Sequence, residues 1–360
     1  ADVVKVEPPD GDPYRADPGF QALNRNKRSV VAPDGSGLRE RLLGHADAVV
    51  VPDAAAAHAA RSKAPDAVVV SFPVWGTGSP AAAGPSSPGA VAAATGIGWN
   101  QLSYGEGPVH VVLPLAGYGA GMLGALAVAA GLYARQTTGR APTYEVSDVA
   151  GAGAMQIGDV AAPDLDAARD AARDGSSPLG SAGRAPAYRL FEAADRRWLF
   201  VACGTTAFYE SMLAAVGRRD LLDDPRLPSP PWGLLDAEPL AFITPVLEAA
   251  FAGRTRAEWL DVLAEHDVPC QPVQTRAEFT ASSTAAANGL DVYVEHRELG
   301  TVAVPPQPLR LSECPAVEPT AAPLLGEHTD EVLAEAERLG PGPSRSGAPA
   351  RPAAAERARP

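Results

Sequence analysis

Short apolar runs, each followed closely by Pro, constrain the fold of this chain more than any other feature. Each run has the length of a buried strand, and segments with helical spacing separate the later runs. The runs lie at 3–6, 29–31, 48–51 and 67–72, and the helical segments at 38–44 and 54–62. Apolar strands alternating with helices are typical of βαβ units in a parallel sheet buried on both faces. The sequence therefore predicts an α/β fold with a parallel sheet.

The loops that follow these four runs form the predicted ligand-binding crevice. In an open α/β sheet, ligands bind outside the carboxyl ends of the strands. The predicted binding residues are Pro8, Ala32, Pro33, Asp34, Pro52, Asp53, Phe72 and Pro73. Lys27 and Arg28 precede the second run and are candidates for phosphate contacts, the alternative being a solvated start of the strand.

The charge balance and the cysteines exclude several classes of protein. Lys and Arg number 30 against 43 Asp and Glu, which gives a net charge of −13. This acidic balance, without a basic stripe, argues against nucleic-acid binding. The cysteines at 203, 270 and 314 are too far apart for a disulfide framework or a zinc-ligand pattern. We therefore expect a cytoplasmic protein without a bound metal.

The most apolar stretch, residues 111–134, raises the alternative of a membrane span. Pro114 and five glycines interrupt it, whereas a spanning helix needs about 20 consecutive, predominantly apolar residues. We predict instead a buried helix rich in Gly and Ala, and no membrane contact. On either side of it, residues 76–109 are predicted to be a loop and 144–149 a strand.

The patterning predicts two domains. Residues 1–150 form the first part of a large α/β domain, 151–186 a connection, 187–290 a smaller α+β domain, 291–339 a return to the large domain, and 340–360 a disordered tail. The tail is low in apolar residues and rich in Pro, Ala and Arg, a composition that does not support a packed core. In the smaller domain, Thr255 and Glu258 have the spacing of a helix capping box.

Six segments carry a resemblance to a known family. They follow one another from residue 1 to about residue 337 and read ADVVKVEPPDGDPYR, LNRNKRSV, LPLAGYGAGMLGALAVAAGLYARQTTGR, DDPR, RTRAEWLDVLAEHDVPCQPV and PLLGEHTDEVL. Together they resemble the class III CoA-transferase (CaiB/BaiF) family, which includes formyl-CoA and carnitine CoA-transferases and α-methylacyl-CoA racemase. The resemblance implies a Rossmann-like large domain, a small domain, and two chains interlocked as rings in a homodimer.

The resemblance also implies a chemistry. Acyl-CoA and carboxylic acids are the expected substrates, a CoA thioester is expected in the crevice, and no permanently bound cofactor is expected. The transferases of the family use an aspartate whose carboxylate attacks the thioester and forms a mixed anhydride. The family places this aspartate just before the Gly-rich helix, and here the matching position holds Gly117.

Two residues are candidate substitutes for the absent carboxylate. Asp148 lies about thirty residues further on, and His110 lies seven residues upstream of Gly117. A displaced carboxylate is a poor substitute because acyl transfer requires ångström-scale placement, and a solvent-facing loop histidine is the alternative for His110. The racemase chemistry of the family needs a histidine upstream as well as the aspartate, and residues 77–109 contain no histidine.

The resemblance leaves three functions open. The first is transfer of CoA between carboxylic acids. The second is a catalytically degenerate module that pairs with, or is fused to, an active copy, and the third is a racemase or another acyl-CoA enzyme. Relatives have a first strand and helix of roughly thirty residues before the stretch that matches ADVVKVEPP, and this first βα unit is absent here. We expect either a fragment or a second segment that supplies this unit.

Overall fold

The computed structural model describes residues 1–33, 37–84, 86–100, 108–157, 185–290, 292–309, 311–314 and 317–339. The chain divides into two compact units. The first unit comprises Ala1–Gly84, Ala120–Asp148 and Arg276–Pro360, and the second comprises Pro85–Gly119 and Val149–Thr275. The domain bounds predicted from the sequence stay a prediction.

Ten strands and thirteen α-helices lie in the described residues. The strands are β1 (Val3–Glu7), β2 (Lys27–Val31), β3 (Ala48–Val51), β4 (Val68–Ser71), β5 (Thr143–Glu145), β6 (Tyr188–Glu192), β7 (Trp198–Ala202), β8 (Cys270–Pro272), β9 (Val292–His296) and β10 (Gly300–Val304). The helices are α1 (Pro18–Asn24), α2 (Leu38–His45), α3 (Ala54–Lys63), α4 (Pro88–Ala94), α5 (Ile97–Asn100), α6 (Leu115–Thr138), α7 (Asp148–Met155), α8 (Thr206–Ala215), α9 (Ala237–Phe251), α10 (Arg256–Glu265), α11 (Arg276–Thr280), α12 (Ser283–Ala287) and α13 (Thr329–Leu339).

The first unit contains the predicted parallel strands, arranged in two separate sheets. β1 pairs with β2, and β3, β4 and β5 pair in that order, all in parallel. β9 and β10 form an antiparallel hairpin. The α/β fold class and the parallel pairing are therefore confirmed, but the first four strands do not join one hydrogen-bonded sheet.

A buried ion pair joins the two strands of the first sheet to distant segments. The Glu7 side chain is 1% exposed and accepts hydrogen bonds from Arg15 Nη2 (2.6 Å), Arg15 Nε (2.9 Å) and Ser29 Oγ (2.6 Å). Ser29 Oγ in turn accepts from the backbone N–H of Gly326 at 2.9 Å, and Arg15 Nη1 donates to the carbonyl of Pro323. One carboxylate thus connects β1, β2, the loop after β1 and the chain that returns before α13.

α6 packs one face against the second sheet. A Cβ added at Gly124 would lie 2.1 Å from Phe72 Cζ, and one added at Gly131 would lie 2.5 Å from Val68 Cγ1. These two glycines therefore let the helix approach β4 closely. The opposite side exposes Met122 and Leu126, so the prediction of a buried helix holds for one face only. By length and composition α6 would pass as a membrane span, and within the described ranges no second helix does.

The second unit carries an antiparallel sheet in the order β6-β7-β8 and a core of large side chains. Phe191 stacks on Phe251 with 4.1 Å between ring centroids, and Trp259 Nε1 donates to the Phe251 carbonyl. The predicted capping box is present, since Thr255 caps α10 and Glu258 accepts from the Thr255 N–H at 2.8 Å.

Two predicted elements near the units' boundaries were wrong. Residues 76–109 were predicted to be a loop, but α4 and α5 form there, and Ser87 caps α4 with Pro88 in its first turn. The strand predicted over 144–149 ends at Glu145, and Asp148 instead begins α7. An acidic residue in the first turn interacts favourably with the helix dipole, which favours this start.

Alanine substitutions at two glycines of α6 test the packing of this helix. We expect Gly124→Ala to lower the free energy of unfolding by about 1–3 kcal/mol, because its Cβ would overlap the Phe72 ring. Gly121→Ala is the matched control, since no atom lies within 4 Å of its added Cβ, and it should stabilise the helix by about 0.5–1 kcal/mol. Urea unfolding of both variants provides the measurement, and equal effects would contradict the close approach of α6 to β4.

Acid titration tests the Glu7 ion pair. Burial raises the pKa of Glu7, but hydrogen bonds from Arg15 and Ser29 and the Arg15 charge hold the pKa below its ordinary value of 4.5. A lowered folded-state pKa stabilises the protein above the unfolded-state pKa, and this contribution is lost as the pH falls through the folded-state value. Glu7→Gln should cost about 3 kcal/mol at neutral pH, and the cost should shrink below a pH of about 4. Glu298→Gln, at an exposed position, is the control and should change unfolding little at either pH.

Candidate functional site

The loops after β1 and β2 lie side by side in the first unit. The backbone N–H of Ala32 donates to the Glu7 carbonyl at 3.3 Å, so the carboxyl ends of the two strands are in register. Pro8 follows β1 in a turn closed by the Gly11 N–H, and both Pro8 and Pro33 are exposed, whereas Ala32 is fully buried. The predicted crevice residue Asp34 lies outside the described residues.

The loops after β3 and β4 form a second group at the carboxyl ends of the second sheet. The backbone N–H of Phe72 donates to the Val51 carbonyl at 3.0 Å. Asp53 caps α3, its Oδ1 accepting from the Ala56 N–H at 2.8 Å. The carboxylate of Asp53 therefore serves the start of α3, while Pro52 beside it is exposed.

Glu145, at the carboxyl end of β5, holds one of the predicted crevice loops, and the sequence reasoning missed this contact. Its carboxylate accepts hydrogen bonds from the Thr77 N–H (3.0 Å) and the Thr77 hydroxyl. It thereby holds the loop that runs from Phe72 and Pro73 through Gly76, which has a φ of +81°. Glu145 lay near the start of the predicted strand 144–149, and its partner 68 residues earlier in the chain was not visible from the pattern.

The structure places Lys27 and Arg28 at the amino end of β2, the opposite end from the crevice loops. Lys27 Nζ donates to Asn24 Oδ1 at 3.1 Å. Arg28 forms ion pairs with Asp2, with Glu335 at 2.7 Å and with Glu331 at 3.4 Å. Burial lowers the pKa of Arg28, but the hydrogen bonds to Glu335 and Asp2 and the charges of these carboxylates raise it above its ordinary value. These contacts tie β2 to α13, and the phosphate-binding role of both residues stays a prediction.

Gly117 lies in the first turn of α6, in the second unit. A Cβ added there would have no atom within 4 Å, and the residue is half-buried. Two residues later, a Cβ at Gly119 would lie 2.6 Å from the Gly151 carbonyl oxygen, so α6 and α7 cross in close contact at that point. Position 117, which the resemblance matches to the family's nucleophile, therefore has open space around it in the first turn of a helix, next to a tight helix crossing, and a side chain fits there.

The two candidate substitutes for a carboxylate at position 117 lie in different local settings. His110 is exposed, and its Cε1 lies 3.5 Å from the position of a Cβ on Gly89, so it borders α4. Asp148 is half-buried as the first residue of α7, and burial raises the pKa of its carboxyl group. A raised pKa reflects the cost of burying the ionised form of this carboxyl group.

The chemistry available to these groups is that of binding and orientation. The crevice loops offer exposed prolines and backbone groups, and the first turn of α6 offers N–H groups that favour an anion. Within the described ranges, no cluster of three or more His, Cys, Asp or Glu side chains is placed to hold a metal ion.

The family model and the curated relatives that match this sequence all describe CoA-transferases. The family model described as CoA-transferase family III matches residues 1–329. A formyl-CoA:oxalate CoA-transferase from Streptomyces avermitilis is 35% identical over 117 residues, which are 32% of this chain and 28% of that protein. One from Rhodopseudomonas palustris is 39% identical over 80 residues, 22% of this chain and 19% of that protein. The matched regions thus span less than a third of these relatives.

Solved structures share the fold over nearly the full length. Rv3272 from Mycobacterium tuberculosis aligns with a TM-score of 0.75 at 23% identity, over 92% of this chain and 90% of the other. A CaiB/BaiF family protein from Brucella suis aligns with a TM-score of 0.78 at 22% identity, over 93% of this chain and 92% of the other. With the α/β architecture, the crevice loops and the match across residues 1–329, the chain belongs to CoA-transferase family III.

Proposed function

We propose that this chain binds an acyl-CoA and transfers CoA between carboxylic acids, in the cytoplasm, as a homodimer. The family match over residues 1–329 carries the proposal. The relatives named as formyl-CoA:oxalate CoA-transferases make formyl-CoA and oxalate the first substrates to test. Three free cysteines, one of them exposed, agree with a reducing compartment.

The loops after the parallel strands are the proposed CoA site. They follow β1 to β4 at Pro8, Ala32–Pro33, Pro52–Asp53 and Phe72–Pro73, and Asp34 belongs to the same set by sequence. Exposed backbone at the carboxyl ends of parallel strands is the usual position for a nucleotide in an α/β sheet. Glu145 fixes one of these loops through Thr77 and thereby keeps the site organised before a ligand binds.

The glycine at position 117, where the resemblance places an aspartate, supports a second candidate function. In that case the chain is a catalytically degenerate module that pairs with an active copy. A glycine has no carboxylate to attack a thioester. In a transferase, a carboxylate oxygen would attack the thioester carbonyl carbon, the C–S bond would break, and CoA would leave as a thiolate while a mixed anhydride forms. With Gly117, the chain retains the helix N-terminus that would face such a carboxylate but lacks the nucleophile itself.

Restoring the carboxylate separates the two candidates. Because the space at Gly117 is open, we expect Gly117→Asp to fold normally and to exchange CoA between formyl-CoA and oxalate, or another donor–acceptor pair, at least about tenfold faster than the native chain. Mass spectrometry of the CoA thioesters measures the exchange. Gly117→Asn is the matched control, since the amide has the same size but is a far weaker nucleophile.

The results assign the function as follows. Exchange by the native chain that Asp148→Ala abolishes would support transfer through a displaced carboxylate. Exchange only in Gly117→Asp would support the degenerate module. Native exchange that neither Asp148→Ala nor Gly117→Asp alters would contradict the placement of the site at the start of α6. Calorimetric titration with CoA, run on all variants, shows separately whether the crevice binds the nucleotide.

A further inference from the structure

Lysine is rare in this chain, and two of its lysines are ion-paired. The sequence has 30 basic residues, of which only those at positions 5, 27 and 63 are lysines. Lys5 forms an ion pair with Asp12, and Lys63 forms one with Glu40. A carboxylate in contact with an ammonium group favours the protonated form, which has no electron pair with which to attack an electrophile. Lys5 and Lys63 are therefore poor nucleophiles.

Lys27 differs from the other two lysines because its hydrogen-bond partner is neutral. Its Nζ atom donates to Asn24 Oδ1 at 3.1 Å. Asn24 is 6% exposed, and its Nδ2 atom donates to the Phe20 carbonyl at 3.1 Å, so the amide oxygen is the atom directed at Lys27. Within the described ranges, no carboxylate forms an ion pair with Lys27.

The carboxylates near Lys27 are already paired with other cations. The register of β1 on β2 places Lys5, Glu7 and Lys27 on one face of the first sheet. Arg15 forms an ion pair with Glu7, and Asp12 pairs with Lys5. The charged groups gathered at this face are thus three cations and two carboxylates. Lys27 is the cation of this group that no carboxylate neutralises by contact.

Burial and charge both disfavour the ammonium form of Lys27. Burial is the larger cause and lowers the pKa of Lys27 below its ordinary value of 10.5. The positive charge of Lys5 lowers this pKa further, and the charge of Asp12 opposes these two effects without cancelling them. A lysine that is desolvated or lies beside another cation is an activated nucleophile, because more of it is present as the neutral amine.

We propose that Lys27 is a covalent modification site, at which the Nζ amine takes an acyl group from an acyl thioester such as an acyl-CoA. The amine nitrogen attacks the thioester carbonyl carbon and the C–S bond breaks. The sulfur leaves as a thiolate and takes up the proton that the nitrogen releases, so the products are an Nε-acyl-lysine and a thiol. The amide N–H of the product keeps a donor for Asn24 Oδ1.

This modification does not depend on the proposed CoA crevice. Lys27 is the first residue of β2, at the amino end of the strand, whereas the crevice loops follow the carboxyl ends. Acylation of Lys27 therefore goes beyond CoA transfer and stands or fails separately from it. The phosphate contact predicted for Lys27 would favour the ammonium form, so phosphate binding and acylation are competing roles of this side chain.

Competitive labelling of the three lysines in one molecule tests the proposal. The intact chain is treated near pH 8 with acetyl-CoA and, separately, with the acetyl thioester of N-acetylcysteamine, which lacks the nucleotide. Mass spectrometry of proteolytic peptides measures the rate of acetylation at each lysine. We expect Lys27 to react at least about tenfold faster than Lys5 and Lys63 with both reagents, because an ordinary lysine is almost fully protonated at this pH.

Two variants test the cause of this reactivity. Asn24→Asp places a carboxylate of the same size against the Lys27 amine and should slow its acetylation at least about tenfold. Because Asn24 is buried, circular dichroism checks the fold of this variant, and Lys5→Gln provides a second test. It removes the neighbouring cation and releases Asp12, so acetylation of Lys27 should again slow. Lys63→Gln, at an exposed position of α3, is the matched control and should leave the rate at Lys27 unchanged.

The opposite results would overturn the proposal. Equal rates at the three lysines, or acetylation confined to Lys5 and Lys63, would show that Lys27 is not an activated amine. A rate at Lys27 that neither Asn24→Asp nor Lys5→Gln lowers would contradict the cause given for it. Acetylation of Lys27 by acetyl-CoA alone would show that a nucleotide site delivers the acyl group, which contradicts a reaction driven by the amine.

Discussion

The hydrogen-bonded ion pair of Glu7 and Arg15 is the constraint on which the first unit depends. A carboxylate that is 1% exposed loses its hydration, and four hydrogen bonds, from Arg15, Ser29 and the Asp12 N–H, stabilise it in that position. Arg15 and Ser29 each make a further hydrogen bond to the returning chain at 323–326. The register of β1 on β2, the loop after β1 and the chain before α13 consequently share one electrostatic anchor.

Local patterns predicted much of this fold. Runs of β-branched residues predicted the parallel strands, and Thr255 caps its helix at the predicted position. The prediction was wrong where Gly, Pro and Ser outweighed a real helix signal, as at Ser87–Pro88. It also missed contacts between distant residues, such as Thr77 with Glu145 and Ser29 with Gly326, because periodicity carries no information about partners far along the chain. The sequence patterns also did not predict the separation into two sheets, because an apolar run predicts a strand but not the strand with which it pairs.

Gly117 illustrates the difference between a family's fold and its chemistry. The match over residues 1–329 extends through α6, whose first turn could accommodate a side chain without displacing any neighbour. Nothing in the packing of this turn requires a glycine, in contrast to Gly119, Gly124 and Gly131, where a Cβ would meet other atoms below 3 Å. This position could therefore carry a larger residue on the same scaffold, and fold alone does not determine activity.

The anchor at Glu7 also has a consequence for folding during synthesis. Arg15 hydrogen-bonds to Pro323, 308 residues later, and the first unit is assembled from three separate stretches of chain. Contacts of such sequence separation form late, because a long loop must close before they contribute. During synthesis, the hydrogen bonds of Arg15 and Ser29 to the returning chain cannot form until nearly the whole chain has emerged from the ribosome. The core of the second unit, built mostly from 149–275, is complete earlier and can fold first.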